Sequence, residues 1–77
     1  MVLIMPGDLT IKFLRDSINS PVIVKLKGGK FVRGILAGYD EHLNLFLVEA
    51  EQIQSQSQES LGNIIIRGDN VVMISPA

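Results

Sequence analysis

Three polar side chains, Asp40, His42 and Asn44, alternate along Gly38-Tyr39-Asp40-Glu41-His42-Leu43-Asn44, a stretch wedged between two apolar runs. In extended backbone that spacing puts all three on one face. A carboxamide such as Asn44 donates and accepts hydrogen bonds at once, and the imidazole of His42 adds a flat aromatic surface. A second polar group, Arg67-Gly68-Asp69-Asn70, brings a planar guanidinium beside a glycine that permits a tight turn. The chemistry such groups support is recognition of a flat ligand. Enzymatic chemistry has little to work with: one histidine and no cysteine leave no nucleophile–base pair and no metal cluster of ordinary type. Asp40 with His42 is the one acid–base couple in reach. Taken singly, each stretch is also the kind of Gly, Asn and Asp sequence that forms turns for structural reasons alone.

The elements that must position these residues can be read from periodicity. Asp8 as N-cap, with Ile11, Leu14 and Ile18 recurring on one face, predicts a short amphipathic helix over about 8–18, ended by Asn19-Ser20-Pro21. From Val22 the period becomes two, Val22, Val24 and Leu26 facing one way, until Gly28-Gly29 predicts a hairpin turn. A second strand follows over Lys30–Tyr39, in which Gly34 and Gly38 mark bulges or bends. A third runs over Leu43–Glu49. The polar, low-complexity segment of about 50–60, with its Gln-Ser alternation, is either a solvated loop or the tips of two strands. Asn63–Ile66 and Val71–Ile74 are short β-branched strands joined by the Arg67–Asn70 turn. Ile11, Leu14, Val24, Ile35, Leu45 and Ile66 are the expected core.

The 77 residues make one small domain, 1–77, with no linker and no internal repeat. A chain of this size buries only about 60% of its unfolded surface, and without cysteine the remaining way to add buried area is to oligomerise. The edge Val71–Ile74 invites pairing with another chain. Lys+Arg 7 against Asp+Glu 8 gives a net charge of -1, which argues against coating nucleic acid by bulk electrostatics. The apolar opening Met1–Met5 stops at Pro6, far short of a membrane span, and the chain reads as cytoplasmic, with no membrane partner.

The block from Val22 to Leu45, carrying Gly28, Gly34, Asp40, His42 and Asn44, and the block Ile64–Val71, carrying Ile66, Arg67, Gly68 and Asn70, resemble the two signature motifs of the Sm and Sm-like family. Their order and separation match as well, and the likeness, strongest to archaeal members, covers nearly the whole chain from Asp8 to Pro76. The resemblance implies an all-β fold: a strongly bent, five-stranded antiparallel SH3-like barrel with a short N-terminal helix, the first motif at about 22–49 and the second at about 61–75. It further implies a ring, typically of seven subunits, that binds uridine-rich single-stranded RNA at the inner pore rim without a cofactor.

In that setting His42 and Arg67 are suited to stack a base, while Asn44 and the backbone N–H groups of Gly68-Asp69 are suited to read a uracil edge. The resemblance assigns Asp40 the support of Asn44, and Asn70 fits a turn and inter-loop hydrogen bonding. Tyr39 has two readings, packing in the core or at an interface, or stacking a second nucleotide at a lateral site. A scaffold or chaperone in RNA processing or turnover follows, with other RNA-processing proteins as further partners. The competing expectation is a structural ring that docks proteins and has little affinity for RNA.

Overall fold

Alternation within the first hairpin sets the core. The structure is a computed structural model describing residues 7–54 and 57–77, residues 7–9 by backbone alone. The capping expected of Asp8 therefore lies outside the described residues. Strand β1 (Pro21–Leu26) turns Val22 and Val24 fully inward, both at 0% exposure. It pairs antiparallel with β2 (Phe31–Tyr39) across Gly28-Gly29, whose φ angles of 89° and 86° are ones that side-chain-bearing residues rarely adopt. Strand β2 places Val32, Gly34 and Leu36 in the core, so Ile35 is half-buried on the opposite face and Leu36 takes the fully buried place expected of it.

Strand β3 (Leu45–Ile53) and β4 (Gln58–Ile66) form a hairpin longer than the apolar pattern predicts, with Glu51, Gln52 and Ile53 paired to Ser60, Glu59 and Gln58. Most of the 50–60 segment is thus the tips of two strands. Backbone ladders hold it, and they require no apolar side chains. Strand β5 (Val71–Pro76) pairs antiparallel with β1, which gives the order β4-β3-β2-β1-β5.

The sheet bends strongly without closing. Its register shifts between Arg33 and Ile35 and between Leu36 and Gly38 of β2, and around Ala50 of β3, each a place where the ladder slips and the strand turns. At Gly34 an added Cβ would lie 3.2 Å from both the Ala50 Cα and the Leu47 Cβ, so the bend depends on the missing side chain. Strands β4 and β5 remain as edges. Apolar residues stand exposed on both: Ile65 at 71%, Val72 at 57% and Met73 at 50%.

Helix α1 (Gly7–Asp16) ends two residues earlier than the apolar period suggests. Asn19, at φ 66°, donates its amide to the Leu36 carbonyl at 2.7 Å, and Leu14 is buried beside it. The helix is anchored at that end, and Ile11, one turn earlier, stays 37% exposed instead of joining the core. No described helix is long and apolar enough to cross a membrane.

Candidate nucleic-acid interface

The loop between β2 and β3 is built around one carboxylate. Asp40 Oδ1 accepts hydrogen bonds from the His42 amide at 2.9 Å and the Asn44 amide at 3.0 Å, while Oδ2 accepts from Asn44 Nδ2 at 2.9 Å. An aspartate that captures amides two and four residues on is a local turn former, which is why a short polar stretch suffices here. Two backbone bonds complete the turn, Leu43 N–H to the Asp40 carbonyl and Asp40 N–H to the Asn44 carbonyl. The Asn44 carboxamide and the two amides hold the Asp40 carboxyl below the ordinary aspartate range.

Leu43 adopts φ 61°, a left-handed conformation that is uncommon for a branched apolar side chain. Nothing about a leucine in the sequence announces this. The conformation belongs to a loop that passes very close to the second motif.

A side-chain hydrogen bond ties this loop to the turn of the second motif: the Gly68 amide donates to Asn44 Oδ1 at 2.7 Å. Gly68 opens a short 3-10 turn, Gly68–Asn70, in which the Asn70 amide donates to the Arg67 carbonyl. A Cβ at position 68 would collide with the His42 carbonyl oxygen and lie 3.0 Å from the Leu43 carbonyl carbon and oxygen. Glycine is required there by the neighbouring loop, since its φ is not in the left-handed region.

Asn44 is therefore fixed in orientation. Rotating its carboxamide by half a turn would set Nδ2 against the Gly68 N–H and Oδ1 against the Asp40 carboxylate, a donor facing a donor and an acceptor facing an acceptor. Each end of the amide keeps one unused valence, one N–H on Nδ2 and one lone pair on Oδ1.

Around this fixed group lie the flat side chains. The His42 side chain is 76% exposed, with Nε2 3.6 Å from a Glu41 carboxylate oxygen. Arg67 is also largely exposed and donates from Nη2 to Asp69 Oδ2 at 3.1 Å. The structure thus brings Asp40, His42, Asn44 and Gly68 into one cluster through direct hydrogen bonds and close approach, with Arg67 and Asp69 flanking Gly68. The Gly68 amide, expected to face a ligand, is instead engaged by Asn44. Asn70 joins the turn to the first hairpin, its carbonyl accepting from the Lys27 amide at 3.0 Å. Tyr39 is half-buried and packs against the core. Among the described residues no group of three or more His, Cys, Asp or Glu is placed to hold a metal ion.

A strongly bent five-stranded sheet with a short helix at its start, and two motif loops locked together at its rim, defines an Sm-type domain. Comparison with known proteins places the chain in that class: the LSM domain family model matches residues 12–76, and the chain belongs to this family. An snRNP Sm-like protein of Archaeoglobus fulgidus is 54% identical over 65 residues, spanning 83% of this chain and 84% of that one. Among solved structures, a heptameric Sm-type protein of P. aerophilum is 38% identical with a TM-score of 0.83, covering 99% of this chain and 97% of that one. A Pyrococcus abyssii Sm protein solved in complex with a uridine heptamer is 46% identical with a TM-score of 0.82, covering 87% and 96%. Family membership, and not the missing metal cluster, sets enzymatic activity aside.

Proposed function

We propose that this chain assembles into a ring, of seven copies as in the heptameric relatives, and binds uridine-rich single-stranded RNA at the inner rim as a scaffold or chaperone. The observation that carries the reading is the fixed Asn44 carboxamide. Its free lone pair suits the N3–H of uracil, and its free N–H suits an adjacent uracil carbonyl. Cytosine presents an acceptor at N3, and a carboxamide that cannot rotate leaves two acceptors facing, at a cost of about 1–3 kcal/mol for the unsatisfied pair. His42 and Arg67 supply stacking surfaces that any base can use, worth about 1–3 kcal/mol per base. With the Gly68 and Asn70 amides engaged internally, the Asp69 amide is the one in that turn suited to the remaining uracil carbonyl.

The exposed apolar residues of β4 and β5 favour assembly, because a neighbour's β5 laid on β4 would pair both open edges and cover Ile65, Val72 and Met73. Repeating the base site around a closed ring turns modest single-nucleotide affinity into tight binding of a uridine run. Fluorescence anisotropy with oligo-U, oligo-C and oligo-A tests the reading. Wild type should favour oligo-U by roughly fivefold or more over oligo-C, as a penalty of about 1–3 kcal/mol demands. Asn44→Ala should lose that preference. Equal affinity for all three oligonucleotides in the wild type would overturn it.

A further inference from the structure

Strand β4 is divided into two arms. Gly62, at φ 71°, pairs with Ala50, and the β3–β4 register slips on both sides of Ala50. The break leaves an inner arm, residues 63–66, and an outer arm, residues 58–61. The inner arm is the apolar one, and there a neighbour's Val71-Val72-Met73-Ile74 finds matching side chains. Strand β5 has six residues and β4 has nine. A β5 laid on residues 64–66 therefore leaves the outer arm with an open edge, in the ring as in the single chain.

The outer arm has both the backbone groups and the charge to hold a strand. The Gln54 amide donates to the Ser57 carbonyl at 2.9 Å. Counted on from that bond, the alternation of an antiparallel ladder turns the Glu59 backbone inward to Gln52 and the N–H and C=O groups of Gln58 and Ser60 outward. No proline or lysine blunts this edge. Its one charge is Glu59, exposed and without a lysine or arginine within ion-pair distance among the described residues. The surroundings agree in sign. Residues 45–66 hold three glutamates, Glu49, Glu51 and Glu59, and no lysine or arginine, whereas the β1–β2 hairpin is basic, with Lys25, Lys27, Lys30 and Arg33 and no acid. Glu51 faces Arg33 across the ladder, so Glu59 is the acid of this arm left to a partner.

We propose that the outer arm of β4 binds a basic, extended segment of another protein, added as a strand along residues 58–60 with a lysine or arginine set against Glu59. Backbone hydrogen bonds to Gln58 and Ser60 supply the affinity of such an addition, and the facing charge selects the segment. A second copy of the same arm is a poor occupant: paired antiparallel about Glu59, two arms would set like charges directly opposite each other. The site lies on a different arm from the assembly surface, and its use does not require RNA.

Short labelled peptides that alternate lysine with valine provide the test, beside a counterpart with glutamate in place of lysine and a lysine peptide methylated at alternate backbone nitrogens. By fluorescence anisotropy the lysine peptide should bind the assembled wild type, and the glutamate peptide should not. Methylation removes the peptide's donors to the Gln58 and Ser60 carbonyls and should weaken binding by roughly fivefold or more, as the loss of two ordinary hydrogen bonds demands. Ser60→Pro deletes an outward N–H and should weaken binding as well, and Glu59→Lys should transfer the preference to the glutamate peptide. Both variants should keep the wild-type assembly in native mass spectrometry and the wild-type affinity for oligo-U. No binding of the lysine peptide, undiminished binding of the methylated one, or wild-type behaviour of both variants would overturn the proposal. So would a doubled assembly that Ser60→Pro dissolves, since the edge would then belong to a second copy.

Discussion

Replacing Gly68 by alanine adds one carbon atom at the junction of the two motif loops, and its effect can be worked from the geometry. The new Cβ would collide with the His42 carbonyl oxygen and press on the Leu43 carbonyl group at 3.0 Å. Those atoms are backbone, in a turn closed by three hydrogen bonds to the Asp40 side chain, so they cannot yield as a flexible side chain would. Overpacking of this kind costs about 1–3 kcal/mol. Separation of the loops also loses the 2.7 Å bond from the Gly68 amide to Asn44, about 0.5–1.5 kcal/mol for an ordinary hydrogen bond. A destabilisation of about 1.5–4.5 kcal/mol is expected. Gly38→Ala is the matched control, since nothing lies within 4 Å of its added Cβ and its φ is not left-handed. Urea unfolding of both variants at one fixed protein concentration reads the difference, and oligo-U anisotropy reads the site. Gly68→Ala should be the less stable and should lose uracil preference, because Asn44 is then free to rotate. If the two alanine variants unfold at the same urea concentration, the tight junction between the loops is not present in solution.

Three further outcomes are expected. Asp40 is held below the ordinary aspartate range by the Asn44 side chain and by the Asn44 and His42 amides, so its contribution to stability is complete above the unfolded aspartate value of about 4 and is lost as pH falls through the folded value. Unfolding titrations from pH 6 downward should show this loss in the wild type, and Asp40→Ala should lack that component. Leu47→Ala, which truncates a fully buried side chain, should cost about 2–5 kcal/mol by chemical denaturation. Ile65→Lys places a charge on the exposed apolar face of β4, and native mass spectrometry should show assembly reduced to smaller species, with circular dichroism still reporting a folded sheet.

The hairpin at Gly28-Gly29 and the inward Val22 and Val24 were legible because period-two alternation and a double glycine are local properties. The phase of β2 was not. Ile35 and Leu36 are adjacent and both apolar, so either could face inward, and the choice is made by Gly34 packing on Leu47 and Ala50, which lie on another strand. The strand tips at 51–53 and 58–60 were obscured for a different reason: all their side chains but Ile53 are polar, and the ladder holding them is backbone. At the site, the residue types and their alternation singled out two loops that the structure brings together. What no spacing reveals is that Asn44 and the Gly68 amide bind each other, an interaction between residues 24 apart that removes one expected donor and fixes the carboxamide.

The bond from the Lys27 amide to the Asn70 carbonyl joins the first hairpin to a turn near the end of the chain, and the Asn44–Gly68 bond draws that same turn to the middle loop. Contacts between such distant segments must close large loops and so form late in folding. During synthesis the β1–β2 hairpin can form while Arg67–Asn70 is still unmade. A growing chain therefore carries the basic hairpin before the turn that Lys27 and Asn44 both bind has been made.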